Sequence, residues 1–387
     1  MNTFLESYTQ KVFSSLDNDF EDNWDEFRFG GPDPVTSQRG NGMPFPHGLL
    51  NAVGLTTVGG AKQKVGTCKQ EISKALAFIA PHISNLEWLY SNLADEESRQ
   101  TLVDVFAYRA LGHRKIKLAV NCPKHVENLR LAETLVVGDE EIPTGFMHFK
   151  LSKMNLDKIG YPIELFFSPM GIVIDFIEQQ YRCETANGAI ECNPGDHVID
   201  AGGCWGDTAL YFAHKCGIAG KVYSFEFLPE NLKIYNRNLD MNPDLKKRVD
   251  LIPHPVWSNA GEEVEIRPNG PGTKIEGGQG DKKSGDYIFK TESIDHLLEI
   301  GRIEKLDFIK MDIEGAELAA LKGAEQSIRR FKPDLAITVY HSLGDFWQIP
   351  QYLDSLGLGY SFYLRHFTIH SEETVLIAKC FENKRLH

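Results

Sequence analysis

The second half of the chain alternates between short apolar runs and stretches whose apolar residues have helical spacing. Five runs are typical of buried strands: Val198–Asp200, Lys221–Phe225, Val249–Ile252, Phe308–Met311 and Leu335–Val339. Helical patterns separate most of them, at Pro229–Leu239, Glu292–Glu299 and Glu317–Arg329. Strands that alternate with helices indicate an α/β domain with a mostly parallel, doubly wound sheet. Ser361–Phe367 and Thr374–Cys380 predict an antiparallel hairpin at the C-terminal edge of this sheet.

The first part of the chain has mainly helical patterns. The predicted helices are Phe4–Leu16, Glu71–Leu93 and Asp95–Leu111. Pro81 is expected to kink or split the second of them, because proline has no amide hydrogen to continue the helix. Ser37–Gly60 is rich in glycine and proline and predicts an irregular segment. The sequence therefore predicts a mainly helical N-terminal domain.

The apolar pattern changes at about residue 157, which suggests a domain boundary. We predict an N-terminal accessory domain at residues 1–157 and the α/β domain at residues 158–387. Two short strands, Ile163–Phe167 and Ile172–Ile177, are expected to open the second domain. Pro268–Asp286 is rich in glycine and lysine and long for a loop in a compact domain, so both a lid and a surface insertion remain open as interpretations.

Composition narrows the classes of function. The chain has 387 residues, 42% of them hydrophobic and 25% charged, which is typical of a globular protein with two domains. A net charge of −13 argues against a nucleic-acid partner, because neutralising phosphates requires a basic face. Seven cysteines without a Cys-x-x-Cys pair argue against a disulfide framework and a zinc site. With neither a signal-peptide pattern nor an apolar stretch that could span a bilayer, a cytoplasmic protein is expected.

The stretch Asp196–Tyr211, DHVIDAGGCWGDTALY, carries the first candidate chemistry. A short apolar strand ends at Asp200, and Gly202, Gly203 and Gly206 follow within six residues, before a predicted helix. Glycine permits close approach of backbone N–H groups to a ligand, and a helix N-terminus favours anionic or polar groups. This corner therefore predicts a nucleotide-binding turn at the carboxyl end of a strand.

Two further candidates follow the next strands. Glu226 lies one residue beyond a predicted strand, where a carboxylate can bind the two hydroxyl groups of a ribose. Its alternative interpretation is a helix-capping carboxylate before Pro229. The turn containing Val256 and Trp257 offers an apolar surface for an adenine ring, although a buried core tryptophan explains Trp257 equally well.

Three acids gather in the segment Lys310–Glu317, KMDIEGAE. Asp312, Glu314 and Glu317 would repel one another at the ligand edge of the sheet unless a cationic ligand, a metal or a shared proton compensates them. The alternative is a solvated helix N-terminus, where the helix dipole favours acids.

These motifs resemble those of the FkbM-type methyltransferases, a branch of the S-adenosylmethionine-dependent enzymes. VIDAGGCWGDT is similar to the first family motif at Asp200, Gly202 and Gly206, and SFEFLPEN is similar to the second at Glu226. The most specific match is LDFIKMDIEGAELAALKGA, at Lys310, Asp312, Glu314, Gly315, Glu317, Leu321, Gly323 and Ala324. The resemblance spans about Tyr161 to Lys379 and implies a Rossmann-like methyltransferase sheet.

The resemblance also implies a cofactor and an acceptor. The cofactor would be S-adenosyl-L-methionine, bound by Asp200, Gly202, Gly206, Glu226, Val256 and Asp312. The implied reaction is O-methylation of a hydroxyl on a sugar-containing or other secondary metabolite, so the expected partner is a small-molecule or glycan acceptor. Neither nucleic acid nor a membrane span is expected, and a homo-oligomer and a divalent metal remain open.

The acceptor side is predicted from the ends of two neighbouring strands. Tyr340 and His341 end the predicted strand next to the one that delivers Asp312. Histidine has an ordinary pKa near 6.5, so His341 is the predicted general base, with Asp312 or Glu314 orienting it, binding the acceptor or holding a metal. A histidine that only hydrogen-bonds a neighbouring loop is the alternative.

Two other classes of function remain as alternatives. An NAD-dependent oxidoreductase would need a Gly-x-Gly-x-x-Gly turn, but Ala201 occupies the first glycine position of the nearest fit. A non-catalytic cofactor-binding or interaction module is compatible with the same motifs, and the acids at successive strand ends favour a working site over it.

Overall fold

The computed structural model describes residues 2–33, 61–266, 269, 272, 273, 275, 276 and 287–381, with only the backbone of 61–67, 275 and 276. All of the segment Ser37–Gly60 and most of Pro268–Asp286 lie outside the described residues. Within the described part of the chain, no helix is long and apolar enough to cross a membrane.

The chain divides into two compact units. One comprises Met1–Ser91, Arg99–Asn121 and Thr368–Ser371, and the other comprises Asn92–Ser98, Cys122–Phe367 and Glu372–His387. The predicted boundary after residue 157 does not coincide with this division. Apolar residues of the segment 122–157, such as Leu135 and Leu151, are buried in the same core as the central sheet, and this packing assigns the segment to the second unit.

The first unit is built mainly from helices. Among the described residues up to Leu111 the helices are α1 Phe4–Ser15, α2 Glu26–Phe29, α3 Ala61–Ile79, α4 Ile83–Asn92 and α5 Glu96–Leu111. Phe4 is fully buried and packs edge-to-face on Phe106, with ring centroids 6.1 Å apart. Pro81 lies in a 3₁₀ turn that separates α3 from α4, as expected for a residue that cannot donate to the helical ladder. The prediction of a mainly helical N-terminal region is confirmed for these residues.

The second unit contains the remaining elements. Its strands are β1 Val136–Pro143, β2 Lys150–Asn155, β3 Glu164–Phe167, β4 Cys183–Thr185, β5 Gly188–Ile190, β6 His197–Ala201, β7 Lys221–Phe225, β8 Val249–Ile252, β9 Glu263–Ile266, β10 Ile275–Glu276, β11 Tyr287–Lys290, β12 Phe308–Met311, β13 Asp334–Thr338, β14 Tyr360–His366 and β15 Thr374–Cys380. Its helices are α6 Pro123–Glu133, α7 Pro169–Ile172, α8 Asp207–Lys215, α9 Pro229–Met241, α10 Pro243–Lys246, α11 Ile294–Glu299, α12 Glu317–Lys322, α13 Glu325–Phe331 and α14 Asp345–Ser355.

A seven-stranded sheet organises this unit, in the order β14-β15-β13-β12-β6-β7-β8. The strands from β13 to β8 are parallel, and β15 pairs antiparallel with both β13 and β14. The five strands predicted for the parallel sheet and the C-terminal antiparallel hairpin are therefore confirmed. Because β7 and β12 lie on opposite sides of β6, the strand order reverses between β6 and β12, and ligands bind such sheets at that point.

Two predicted elements have a different form in the structure. The predicted strand Ile172–Ile177 is wrong, because this segment is helical, with α7 continuing into a π-helical turn at Val173–Ile177. Ser168 explains the helix: its hydroxyl accepts a hydrogen bond from the amide of Gly171, and proline occupies the first helical position. The single helix predicted at Glu317–Arg329 is split into α12 and α13, with Gly323 as the C-cap of α12. A Cβ at Gly323 would lie 2.1 Å from the carbonyl oxygen of Trp257.

Asn238 joins three parts of the second unit. It is fully buried on α9, its Oδ1 accepts from the amide of Phe166 at 2.7 Å, and its Nδ2 donates to the carbonyls of Phe166 and Trp205 at 3.1 and 2.8 Å. These bonds fix the end of β3 and the glycine-rich turn against the same helix. The side-chain amide therefore satisfies backbone groups that the helix itself could not reach.

We expect Asn238→Ala to lower the free energy of unfolding by at least about 2 kcal/mol, because each buried polar group left without a partner costs about 1–3 kcal/mol. Urea unfolding followed by circular dichroism measures this loss. Asn236→Ala is the matched control on the same helix, since Asn236 is exposed and donates only to the carbonyl of Leu232. Equal losses in the two variants would contradict the role assigned to Asn238.

Candidate active site

The glycine-rich turn joins the carboxyl ends of three strands. Gly202 has φ +90°, and a Cβ at this position would lie 2.0 Å from the carbonyl oxygen of Asp312. The amides of Gly202 and Gly203 both donate to the carbonyl of Phe225, at 3.2 and 2.8 Å. The turn after β6 therefore touches the backbone beyond β12 and the end of β7 at once, and only glycine permits the contact at Gly202.

Asp200 lies beneath this turn and is completely buried. Its carboxylate accepts hydrogen bonds from the hydroxyls of Thr208, at 2.9 Å, and Ser224, at 2.8 Å. The ammonium of Lys310 lies 3.1 Å from the same carboxylate. The structure thus gives Asp200 a role in holding the turn, and its direct contact with a cofactor stays a prediction.

Lys310 is a buried cation in the middle of the sheet, 1% exposed. Its Nζ donates to the carbonyls of Gly202, at 2.7 Å, and Ala201, at 3.2 Å, so it holds the backbone of the turn as well as Asp200. Burial alone would lower the pKa of Lys310, but Asp200, Asp312 and neighbouring acids raise it above its ordinary value. Lys310 was part of the family motif, but the sequence analysis assigned it no role. A lysine inside an apolar strand could have indicated a buried ion pair, because a buried charge requires a partner.

A cavity opens above the turn at the switch point of the sheet. Its walls are Gly202, Cys204, Phe225, Glu226, Phe227, Leu228, Asn231, His254, Pro255, Val256, Thr273, Asp312, Ile313, Glu314 and Ala316. Four of the six predicted cofactor residues, Gly202, Glu226, Val256 and Asp312, are thereby brought together. Asp200 and Gly206 are not in the wall.

Gly206 and Trp257 lie outside the cavity wall for identifiable reasons. Gly206 precedes α8 with φ +83° and lies against Tyr235 and Leu239, which would be 3.2 and 3.0 Å from a Cβ at that position. Trp257 is partly buried, and its amide donates to the carbonyl of Glu292 at 2.8 Å. Gly206 therefore supports packing of the turn, and Trp257 is not the apolar wall residue at this turn.

Glu226 has contacts within its own turn and a place in the cavity wall. Its Oε1 accepts from the amides of Phe227 and Leu228, both at 2.7 Å, and its Oε2 accepts from Nδ2 of Asn231 at 3.1 Å. A carboxylate has about four acceptor sites, so one site on Oε2 remains for a ligand hydroxyl. Burial raises the pKa of Glu226 to about 7 although these three donors lower it. Glu226 therefore caps the turn before α9 and also lines the cavity.

The acids after β12 surround His341. Its Nδ1 lies 2.9 Å from Oε1 of Glu317, and its Nε2 lies 3.4 Å from Asp312 and 3.6 Å from Glu314. Burial would lower the pKa of His341, but Glu314, Glu317 and Asp312 raise it to about 11. The ordinary pKa expected for a histidine base is therefore not found here. The predicted catalytic residues His341, Asp312 and Glu314 do lie together, while Asp312 and Glu314 line the cavity and His341 lies behind them.

Three further acids were not predicted. Burial, and after it the charge of Asp207 at the start of α8, raise the pKa of Asp175 in the π-helical turn well above its ordinary value, and burial raises the pKa of Asp207 to about 6. Burial and Asp312 raise the pKa of Glu373 to about 8, and the hydroxyl of Tyr340 lies 3.0 Å from Glu373 and 3.4 Å from Asp312. Asp207 lay within the glycine motif and Asp175 interrupted an apolar stretch, whereas Glu373 carried no sequence signal.

We expect Gly202→Ala to destabilise the second unit or to distort the cavity. The backbone at φ +90° costs a residue with a Cβ about 1–2 kcal/mol, and the contact with Asp312 adds to this loss. Gly261→Ala is the control, because Gly261 has φ +82° and open space around its Cβ position. Chemical unfolding of both variants measures the difference, and a loss for Gly202→Ala no larger than that of the control would contradict the close approach.

Residues 190–362 match the family model of the methyltransferase FkbM domain. The crystal structure of methyltransferase FkbM from Methylobacillus flagellatus KT is 20% identical over 80% of this chain and 61% of that chain, with a TM-score of 0.47, so this chain spans less than two thirds of that protein. Fibrillarin from Aeropyrum pernix, crystallised with bound S-adenosyl-L-methionine, is 14% identical over 49% of this chain and 69% of its own, with a TM-score of 0.32.

A putative O-methyltransferase from Klebsiella pneumoniae is 12% identical over 66% of this chain and 96% of its own, with a TM-score of 0.34. None of the curated proteins compared with this sequence matches it. The family match begins at the end of β5 and ends within β14, so it contains the glycine-rich turn and the ends of β7, β12 and β13. The three motifs that carry the family resemblance lie at one edge of the sheet within this matched region, and residues 190–362 form a methyltransferase FkbM domain.

Proposed function

We propose that the protein transfers the methyl group of S-adenosyl-L-methionine to a hydroxyl group of a sugar-containing or other small-molecule secondary metabolite. The observation that carries the proposal is a single cavity that runs from Glu226, at the end of β7, to Asp312 and Glu314, beyond β12, over the turn at Gly202. This is the arrangement needed to bind a nucleoside at one end and to present a methyl group at the other. A cytoplasmic location and a homo-oligomer remain predictions.

The Glu226 end of the cavity suits the adenosine part of the cofactor. Oε2 of Glu226 has one free acceptor site for a ribose hydroxyl, and Pro255 and Val256 supply an apolar wall for the adenine ring. Asp312 and Glu314 lie at the other end of the same wall. Their negative charge suits the sulfonium of the cofactor, because a cation offsets the repulsion between neighbouring acids.

The reaction is an in-line displacement in which the acceptor oxygen forms a bond to the methyl carbon as the methyl–sulfur bond breaks. The hydroxyl proton must pass to a base, and S-adenosylhomocysteine leaves. We assign the base to Asp312 or Glu314, because both line the cavity. His341, the base predicted from the sequence, has Nδ1 directed at Glu317 and Nε2 at these two acids, which supports a positioning role for it.

Methyl transfer is tested with methyl-tritiated S-adenosylmethionine and a panel of glycosides, amines and carboxylic acids. We expect label in glycosides, in a form stable to mild alkali, since methyl ethers resist alkali and methyl esters do not. Asp312→Asn or Glu314→Gln should lower the turnover rate about a hundredfold or more, whereas Asp354→Asn, an exposed acid on α14, should not.

Label confined to amines or to alkali-labile esters would contradict hydroxyl methylation. Normal turnover in both Asp312→Asn and Glu314→Gln would return the base to His341.

The affinity for S-adenosylhomocysteine is expected to rise by up to about tenfold between pH 6 and pH 8. Glu226 has a pKa of about 7 and accepts a ribose hydroxyl best when ionised, so the ligand favours the form that predominates at higher pH. Glu226→Gln should bind about ten- to a hundredfold more weakly and lose the rise. Isothermal titration measures both effects, with NAD as a ligand expected not to bind.

The glutamine variant is needed because Asp207 and Glu373 also titrate in this range, with pKa values of about 6 and about 8. If Glu226→Gln keeps the normal affinity and the same pH dependence, Glu226 is only the cap of its turn. Tight binding of NAD without binding of S-adenosylhomocysteine would favour the oxidoreductase alternative.

A further inference from the structure

His341 is held in one orientation by a buried carboxylate. Its Nδ1 lies 2.9 Å from Oε1 of Glu317, a residue with no solvent exposure. The same oxygen accepts from the amide of Ile313 at 2.9 Å and the hydroxyl of Thr338 at 3.3 Å, so Glu317 is itself fixed by α12, β13 and the backbone after β12. The imidazole ring cannot turn without breaking this contact.

The other ring nitrogen of His341, Nε2, lacks a comparable contact. The side chain of His341 is 3% exposed, and its Nε2 makes no hydrogen bond among the described residues. It is directed at Oδ1 of Asp312, 3.4 Å away, and Oε1 of Glu314, 3.6 Å away. A buried nitrogen without a hydrogen bond is uncommon and requires an explanation, such as an ion that the three atoms share.

The two separations from Nε2 of His341, 3.4 Å to Asp312 and 3.6 Å to Glu314, are close to those between neighbouring ligands of one metal ion. Imidazole nitrogens and carboxylate oxygens bind transition metals at about 2.0–2.2 Å, which puts neighbouring ligand atoms about 3.0–3.5 Å apart. Asp312, Glu317 and His341 also offer ligand atoms that all lie within 4.8 Å of one another. A metal-binding histidine typically donates its other N–H to a carboxylate, as Nδ1 of His341 can donate to Glu317.

We propose that Asp312, Glu314 and Nε2 of His341 bind a divalent metal ion, which replaces the proton on Nε2 and releases it to solvent, with Glu317 as the positioning residue that orients the imidazole. An imidazole among carboxylates suits a first-row transition metal better than Ca²⁺ or Mg²⁺, and Mn²⁺ serves as the probe of this class. Because Asp312 and Glu314 also line the cavity, the ion would lie at its acceptor end. If the proposed function holds, the ion would bind the acceptor oxygen and ease loss of its proton, which is the one part of the inference that depends on that function.

The test measures Mn²⁺ binding to the full chain after dialysis against EDTA. Electron paramagnetic resonance reports the concentration of the free ion, and isothermal titration reports the affinity and the number of sites. We expect one site per chain, and at least a tenfold loss of Mn²⁺ affinity in His341→Ala and in Glu314→Gln. Glu317→Gln should lose affinity to a smaller degree, because its amide oxygen can still accept from Nδ1. Mg²⁺ should compete weakly.

His125→Ala is the matched control. His125 is also a buried histidine, 4% exposed, with Nδ1 2.9 Å from Oε1 of Glu178 and an Nε2 that makes no hydrogen bond among the described residues. The His125→Ala variant should bind Mn²⁺ with the affinity of the unmodified protein. Circular dichroism should report the native fold for each variant. Glu314→Gln keeps the test decisive if His341→Ala does not fold.

Absence of Mn²⁺ binding to the unmodified chain, or equal affinity in His341→Ala, Glu314→Gln and the control, would overturn the proposal. The titration uses no acceptor, and S-adenosylhomocysteine is titrated into the same protein separately. A chain that binds this ligand but no metal would refute the metal site alone, whereas one that binds the metal but not this ligand would refute the proposed function alone.

Discussion

A single ammonium group holds together the strand ends from which the cavity is built. Lys310 on β12 pairs with Asp200 on β6 and donates to the backbone of the turn at Gly202, and both side chains are buried. Removing either partner of a buried ion pair leaves a charge without compensation, at a cost of about 3–5 kcal/mol. The pair therefore ties the shape of the turn to the pairing of the two central strands, and the cavity inherits its geometry from this interaction.

Electrostatics is the second constraint on the site. Asp312 and Glu314 face the cavity, and Asp207 and Glu373 have raised pKa values of about 6 and about 8 because burial disfavours their charged forms. The protein thus concentrates more carboxyl groups here than it can ionise together at neutral pH. Binding of any cation, whether a sulfonium, a metal or a proton, is favoured by this surplus, and the site has the electrostatic character of a cation receptor.

The sequence predicted the strands and part of the cavity wall correctly where a residue type has one structural role. Apolar runs located the central strands, and acids directly after them located the wall of the cavity at Glu226 and Asp312, because parallel strands end at a common edge. It was less informative where tertiary packing decides the role. Asp200 proved to be an internal partner of Lys310, and His341 proved to be enclosed by acids, since neither burial nor distance between separate strands can be read from local pattern.

The predicted secondary structure was wrong where two local signals favoured different elements. Ile172–Ile177 is apolar enough for a strand, but the capping hydroxyl of Ser168 and the proline after it direct the segment into a helix, which brings Asp175 next to Asp207. The boundary expected after residue 157 failed to match the compact units for a related reason. Apolar residues such as Leu151 carry no mark of which core they join, and only the packing reveals it.

The close approach at Gly202 has a consequence for the changes that the second unit can accommodate. The backbone after β6 rests directly on the carbonyl of Asp312, with no side chain between them to absorb a shift. Any insertion or displacement directly after β12 would therefore be transmitted to the glycine-rich turn. The cavity wall can change most easily through exchange of side chains on an unchanged backbone, or through segments outside this contact.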